Sequence, residues 1–145
     1  EDLERLVGTC ARSGCPVLIA LSVTGRVELT PSDPLDQSVE EAFNAHQRRT
    51  TGARRLLGPD AVGVAVDGFT GLRRDVLVRS SPWCLGHGQA ALAAEWFTGW
   101  LAAAWEQRPE LGAEAVAYER RRVAEAAVGG LSVTVHHEDL LVLPG

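Results

Sequence analysis

Lysine and methionine are both absent from this 145-residue chain, and cysteine is scarce. All fourteen basic residues are arginine, a usage that reads as GC-rich coding DNA rather than as function. The formal net charge of −5 leaves no basic excess of the kind that grips a phosphate backbone, so no nucleic-acid partner is expected. No apolar run reaches the roughly 18 residues of a membrane-spanning helix, and no secretory signal pattern is evident. No membrane partner is therefore expected either. Cys10, Cys15 and Cys84 are odd in number and lack C-x-x-C spacing, which argues against a disulfide framework and a structural zinc site. A reducing, cytoplasmic setting fits. The sequence opens at Glu1 without a methionine, and the expectation is a piece of a longer product.

Chemistry-bearing motifs are missing as well. There is no G-x-G-x-x-G after a strand, no G-x-x-x-x-G-K-[ST], no G-x-S-x-G and no H-E-x-x-H, hence no phosphate or dinucleotide cradle within the chain. His136, His137, Glu138 and Asp139 are the one metal-like run. Alternate residues of a strand face opposite ways, so neighbours in such a run do not converge on one ion, and no metal is expected.

What is present alternates between helices and strands. Leu3, Leu6, Val7 and Cys10 form a helical stripe over Glu1–Ser13, with Gly14 placed to end it. "PVLIALSV", Pro16–Val23, is apolar without alternation, as in a buried parallel strand covered on both faces. A Thr-Gly turn and a short extension should follow it. Asp33 is placed to cap, and Pro34 to open, a helix that runs to about Gln47, with Leu35, Val39, Ala42, Phe43 and His46 on one stripe. "RRTTGARR" reads as a flexible polar link, and "GPDAVGVAVDGF" as a helix weakened by Gly63 and Gly68.

Asp75–Ser80 is a second strand. Gln89–Gln107 and Pro109–Val128 are long helices, and Leu131–His137 is a half-exposed strand that "DLLVLP" either continues or leaves. The order implies an α/β sheet of three strands. A strand as apolar as Pro16–Val23 should not stand at an open edge, so a strand from a preceding segment or from a second copy is expected beside it.

Four features invite function. At "AHQRRTTG", cations either balance the end of a helix or present donors to an anionic or polar substrate. On "ALAAEWFTGWLAAAW", Trp96 and Trp100 form one stripe and Phe97, Leu101 and Trp105 another, about 100° apart, so the helix is apolar over most of its circumference. A core or subunit interface is favoured over a ligand pocket. Trp83 follows Pro82 at the carboxyl end of a strand, where ligands of open α/β sheets bind, unless it merely seals a helix against the sheet; Ser22 holds a similar place on the first strand. "ERRR", Glu119–Arg122, reads as a solvated helix face.

Taken in order, "CPVLIALSVTGRVELTPSDPLD", "NAHQRRTTGARRLLGP", "VRSSPWCLG", "ALAAEWFTGWLAAAWEQRPEL" and "LSVTVHHEDLLVLP" cover nearly the whole chain. In these stretches it resembles the C-terminal half of class I S-adenosylmethionine-dependent methyltransferases. The resemblance implies a Rossmann-like methyltransferase sheet in its C-terminal portion: three strands, the last one antiparallel, with additional helices. Pro16–Val23 would be the fifth strand of seven and Asp75–Ser80 the sixth, with Leu131–Leu143 inserted between them as the seventh. It further implies methyl transfer to a small-molecule acceptor, this chain supplying the substrate side. Ser22, Gln47 and Trp83 would line the acceptor, and His46 would take its proton. S-adenosylmethionine would bind mostly to an N-terminal half outside the chain, since the glycine-rich turn and the acidic residue that hold it are missing. The partner would be that half or a second copy. The alternative is a non-catalytic α/β module that binds a ligand or a subunit.

Overall fold

In the computed structural model, residues 2–144 are described, the Leu21 side chain excepted. Their elements, in order, are α1 (Asp2–Ser13), β1 (Val17–Thr30), α2 (Asp36–Gln47), β2 (Thr50–Thr51), β3 (Arg54–Arg55), α3 (Ala61–Gly71), β4 (Asp75–Ser80), β5 (Trp83–Leu85), α4 (Ala90–Gln107), α5 (Gly112–Ala127) and β6 (Ser132–Leu143). The chain is α/β, as expected, but its sheet is mostly antiparallel. It holds four strands rather than three, in the order β1-β6-β4, with β5 also paired to β6; β2 and β3 form a separate ribbon. The chain divides into two compact units, one made of Glu1–Thr24, Pro59–Pro82 and His136–Gly145, the other of Gly25–Gly58 and Trp83–Val135.

In the first unit, side chains on one side of the strands meet two helices. Val7 and Ala11 of α1, Phe69 of α3 and Val142 of β6 form a buried group, with Val17, Ile19 and Val76 against it. Val62, Ala65 and Leu140 continue that layer. The helices approach closely at Gly68, where an added Cβ would sit 3.2 Å from Val7 Cγ1. The glycine therefore permits the contact as well as lowering helix propensity. Asp75–Ser80 pairs with β6 from Asp75 opposite Leu143 to Ser80 opposite Glu138.

One expectation about Pro16–Val23 is overturned. Its residues are not covered on both faces: Val17 and Ile19 are half-buried, whereas Leu18 is 68% exposed and Ala20 is exposed. Its partner strand among the described residues is β6. An unalternated apolar run signals low polarity, and burial depends on what packs against each face. The Thr-Gly turn is also absent. Gly25 takes φ +83° inside one 14-residue strand, as bulge-type glycines do. Ser22 consequently lies in mid-strand, not at a strand end.

The second unit packs α2, α4 and α5 on Val27, Leu29, Leu85, Val133 and Val135, with Phe97, Trp100, Leu101, Tyr118 and Leu131 at its centre. Asp33 is not the cap residue and Pro34 does not open the helix, since α2 starts at Asp36 after Leu35, but Asp33 still organises that start from three residues ahead of the first helical residue. Its carboxylate accepts from Leu35 N–H at 3.0 Å while its own N–H donates to Asp36 Oδ2 at 2.8 Å. The reciprocal pair works like a capping box. "RRTTGARR" is not a plain link: Thr50 opposes Arg55 and Thr51 opposes Arg54 across Gly52, whose φ is +62°. Pro82 ends β4 as expected, but Trp83 opens β5, with Val135 opposite, instead of standing in a loop. The expected solvated face at Glu119–Arg122 is overturned, because Arg122 is 1% exposed.

Helix ends give a test. Gly14 and Gly129 sit at φ +69° and +70° just past α1 and α5, where a left-handed residue is wanted. The end of α3 uses the same turn, with Arg74 N–H on Phe69 O at 3.0 Å, yet its left-handed residue is Arg73 at φ 56°. Side-chain-bearing residues pay roughly 1–2 kcal/mol there. Arg73→Gly is expected to stabilise the protein by about 0.5–1 kcal/mol in urea unfolding; an unchanged or lower midpoint would contradict this account.

Candidate functional site

In α2 the buried residues Val39 and Ala42 face the core, and the helix carries His46 and Gln47 at its C-terminal end. His46 has a side chain only 12% exposed, and its two ring nitrogens have different partners. Nε2 lies 3.3 Å from Glu106 Oε2 on α4, and Nδ1 lies 3.1 Å from Arg49 Nη1. A guanidinium can only donate, so Nδ1 accepts and Nε2 carries the proton toward Glu106. The same Nη1 also donates to His46 O at 2.9 Å. His46 is thus held as one tautomer by a carboxylate, and its basic lone pair is covered by an exposed arginine.

Gln47 points elsewhere. One residue along a helix is a turn of about 100°, and Gln47 packs beneath Gly58, where an added Cβ would lie 2.9 Å from Gln47 Cβ. Its Oε1 is buried without a hydrogen-bond partner among the described residues. Trp83 is 43% exposed on β5. Ser22 belongs to the other compact unit. His46 therefore gathers Glu106 and Arg49. Arg49 stood in the arginine-rich run, but Glu106 lies sixty residues away on α4 and no spacing marks it.

The aromatic stripes of α4 are core. Trp100 is buried and stacks on half-buried Trp96, with ring centroids 5.4 Å apart; Phe97 is buried and meets Tyr118 at 5.3 Å. The helix keeps a wet face of Leu92, Glu95, Thr98, Ala102 and Glu106, so it is less apolar around its circumference than expected.

A second cluster anchors the other end of α2. Arg122 Nη2 donates to both oxygens of Asp36, at 2.6 and 2.7 Å. Its Nη1 donates to Pro31 O at 2.7 Å and to Glu125 Oε2 at 2.9 Å. Tyr118 donates its hydroxyl to Asp36 Oδ1 at 2.6 Å and lies under the guanidinium, 5.5 Å away. Arg121 reaches Asp33 at 2.8 Å. Burial pulls the Arg122 guanidinium down, but its bonds to Asp36 and Glu125 more than offset that and hold it above the usual arginine range. Burial first, then the Asp36 hydrogen bond and charge, push Tyr118 well above the tyrosine range. Burial alone would raise Asp33, but the Leu35 N–H and the Arg121 guanidinium outweigh it and lower its carboxyl.

Among the described residues no group of three or more His, Cys, Asp or Glu is gathered to hold a metal ion. No family model matches the chain, and neither a curated protein nor a solved structure matches it.

Removing Asp36 strands a buried cation. Asp36→Ala is expected to cost about 3–5 kcal/mol in denaturant unfolding, and adding Arg122→Met should recover much of the loss. No recovery in the double variant would contradict the stranded-charge argument.

Tyr118 also sets an alkaline limit. It is the chain's one tyrosine, so tyrosinate absorbance reports it alone. Unfolded, it ionises near pH ~10; folded, it keeps its proton to higher pH. Its contribution is full below that value and falls as the pH rises past it. Relative to Tyr118→Phe, the parent protein should lose stability above about pH 10, with tyrosinate appearing only as the chain unfolds. A tyrosinate step in the folded protein at the ordinary pH would overturn this.

Proposed function

We propose that this chain is the substrate-side portion of a class I S-adenosylmethionine-dependent methyltransferase that acts on a small-molecule acceptor. The single observation in its favour is the strand order. β6 lies between β1 and β4 and runs antiparallel to β4, which is the place and direction the resemblance implies for a seventh strand between a fifth and a sixth. The reading needs a further strand on the free side of β1, and the low polarity of Val17–Val23 suits one.

His46 is the proposed catalytic base. S-adenosylmethionine, bound mostly by the preceding half, would supply the electrophilic methyl group to a lone pair of the acceptor and would leave as the neutral thioether. The acceptor's proton must then leave, and His46 Nδ1 is the lone pair offered to it once Arg49 swings aside. Glu106, accepting from Nε2–H, stabilises the imidazolium that results. Much of the remaining rate comes from alignment of acceptor and methyl group. Ser22, Gln47 and Trp83 stay as proposed wall residues, with Gln47 weakened in that role by its buried oxygen. The alternative, a module engaging a partner through the tryptophans of α4, is disfavoured by their packing into a core.

The test uses this chain expressed with the coding sequence upstream of it in frame. The joined protein should bind S-adenosylmethionine saturably in calorimetry, and the chain alone should not. His46→Ala should lower methyl transfer by on the order of 10²–10⁴-fold with cofactor affinity unchanged. A joined protein that does not bind the cofactor would sink the proposal.

A further inference from the structure

In the first unit α1 and α3 cover one side of the strands. Val17, Ile19, Val76, Val78, Leu140 and Val142 pack against them. Alternation sends the neighbours of these residues to the opposite side. On β1 those neighbours are Leu18, 68% exposed, and Ala20, also exposed; on β4 the apolar one is Leu77, 44% exposed. On β6 they are the half-buried Leu141 and Leu143. Leu77 stands directly opposite Leu141, and β1 lies on the other side of β6. Single exposed leucines are ordinary, but apolar residues shared by three adjacent strands make a patch of the kind that marks an interface.

Charge is set around this patch in an order that complements its own reverse. Along the uncovered side β4 reads Asp75, Leu77, Arg79, and both charged residues are exposed. Arg79 Nη1 donates to Val78 O of its own strand at 2.8 Å, and neither Asp75 nor Arg79 is in an ion pair among the described residues. Across the ladder Asp75 faces Leu143 and Arg79 faces Asp139. Turned end for end about an axis through Leu77 and Leu141, the row Asp-Leu-Arg becomes Arg-Leu-Asp. Asp75 of each copy then meets Arg79 of the other, twice over, and the central leucines meet their own counterparts. Face-packed sheets lie roughly 10 Å apart, a gap that an extended arginine and an aspartate span together. A two-fold contact requires a surface that complements itself in this way; an unrelated partner does not.

We propose that this uncovered side of the sheet is a homodimer interface, closed by a second copy of the chain packed antiparallel about Leu77 and Leu141. The inference goes beyond the proposed function and does not rest on it: a strand beside β1 would occupy the edge of the sheet, whereas the second copy covers its face.

Sedimentation velocity over a concentration series reads the equilibrium, and the parent chain should be a reversible dimer. Leu77→Thr keeps strand propensity but removes the apolar contact, and should weaken dimerisation on the order of tenfold. Asp75→Arg sets arginine against arginine, and Arg79→Asp sets aspartate against aspartate, so each alone should weaken it by roughly tenfold. Mixed in equal amounts, these two charge variants should pair with each other and come within about threefold of the parent affinity. A parent chain that is monomeric at every concentration would overturn the proposal. So would charge variants that dimerise as tightly as the parent, or that fail to pair when mixed. Amide NMR spectra of each variant check that it is folded.

Discussion

A buried guanidinium is the constraint that organises the second unit. Taking Arg122 out of water costs several kcal/mol, which only well-placed acceptors recover. Asp36 accepts twice from it, and Glu125 and Pro31 O take the remaining bonds of Nη1. Each acceptor belongs to a different part of the chain: the first turn of α2, α5 itself, and the turn after β1. Pairing the two Nη groups of one cation therefore fixes where three segments meet. Tyr118 closes the arrangement by bonding Asp36 from the same helix that carries Arg122.

That anchor bears on the site through the rigidity of α2. Asp36 opens the helix and Gln47 ends it, a span of roughly 1.5 Å per residue. With its first turn locked and Val39 and Ala42 buried, the helix delivers His46 to a fixed place against Glu106. The imidazole is then oriented by a carboxylate on one nitrogen, while the other meets an exposed arginine that starts the ribbon.

The first unit rests on burial of one side of its strands alone. α1 and α3 cover Val17, Ile19, Val76, Val78, Leu140 and Val142, while Leu18 and Leu77 remain exposed. β1 has a partner strand on one side only among the described residues. An edge this apolar, with no proline and no charge from Val17 to Thr24, lacks the devices that usually blunt an edge. It is the physical reason the proposed function looks for a neighbouring strand there.

The sequence by itself determined the elements with strong local signals. The stripe of α1, the span of α2 to Gln47, strand Asp75–Ser80 and the end at Gly14 followed from periodicity and from the left-handed preference of glycine, both properties of a few adjacent residues. Three matters were decided only by tertiary structure. Gly25 continues a strand because β6 pairs with that strand, which outweighs the turn preference of Thr-Gly. Arg122 is core because Asp36, eighty-six positions away, supplies its counter-charge; nothing near "ERRR" tells it from its exposed neighbours. Glu106 meets His46 because α2 and α4 pack side by side. Charge burial and ring orientation are fixed by partners distant in the chain, and a local pattern carries no trace of them.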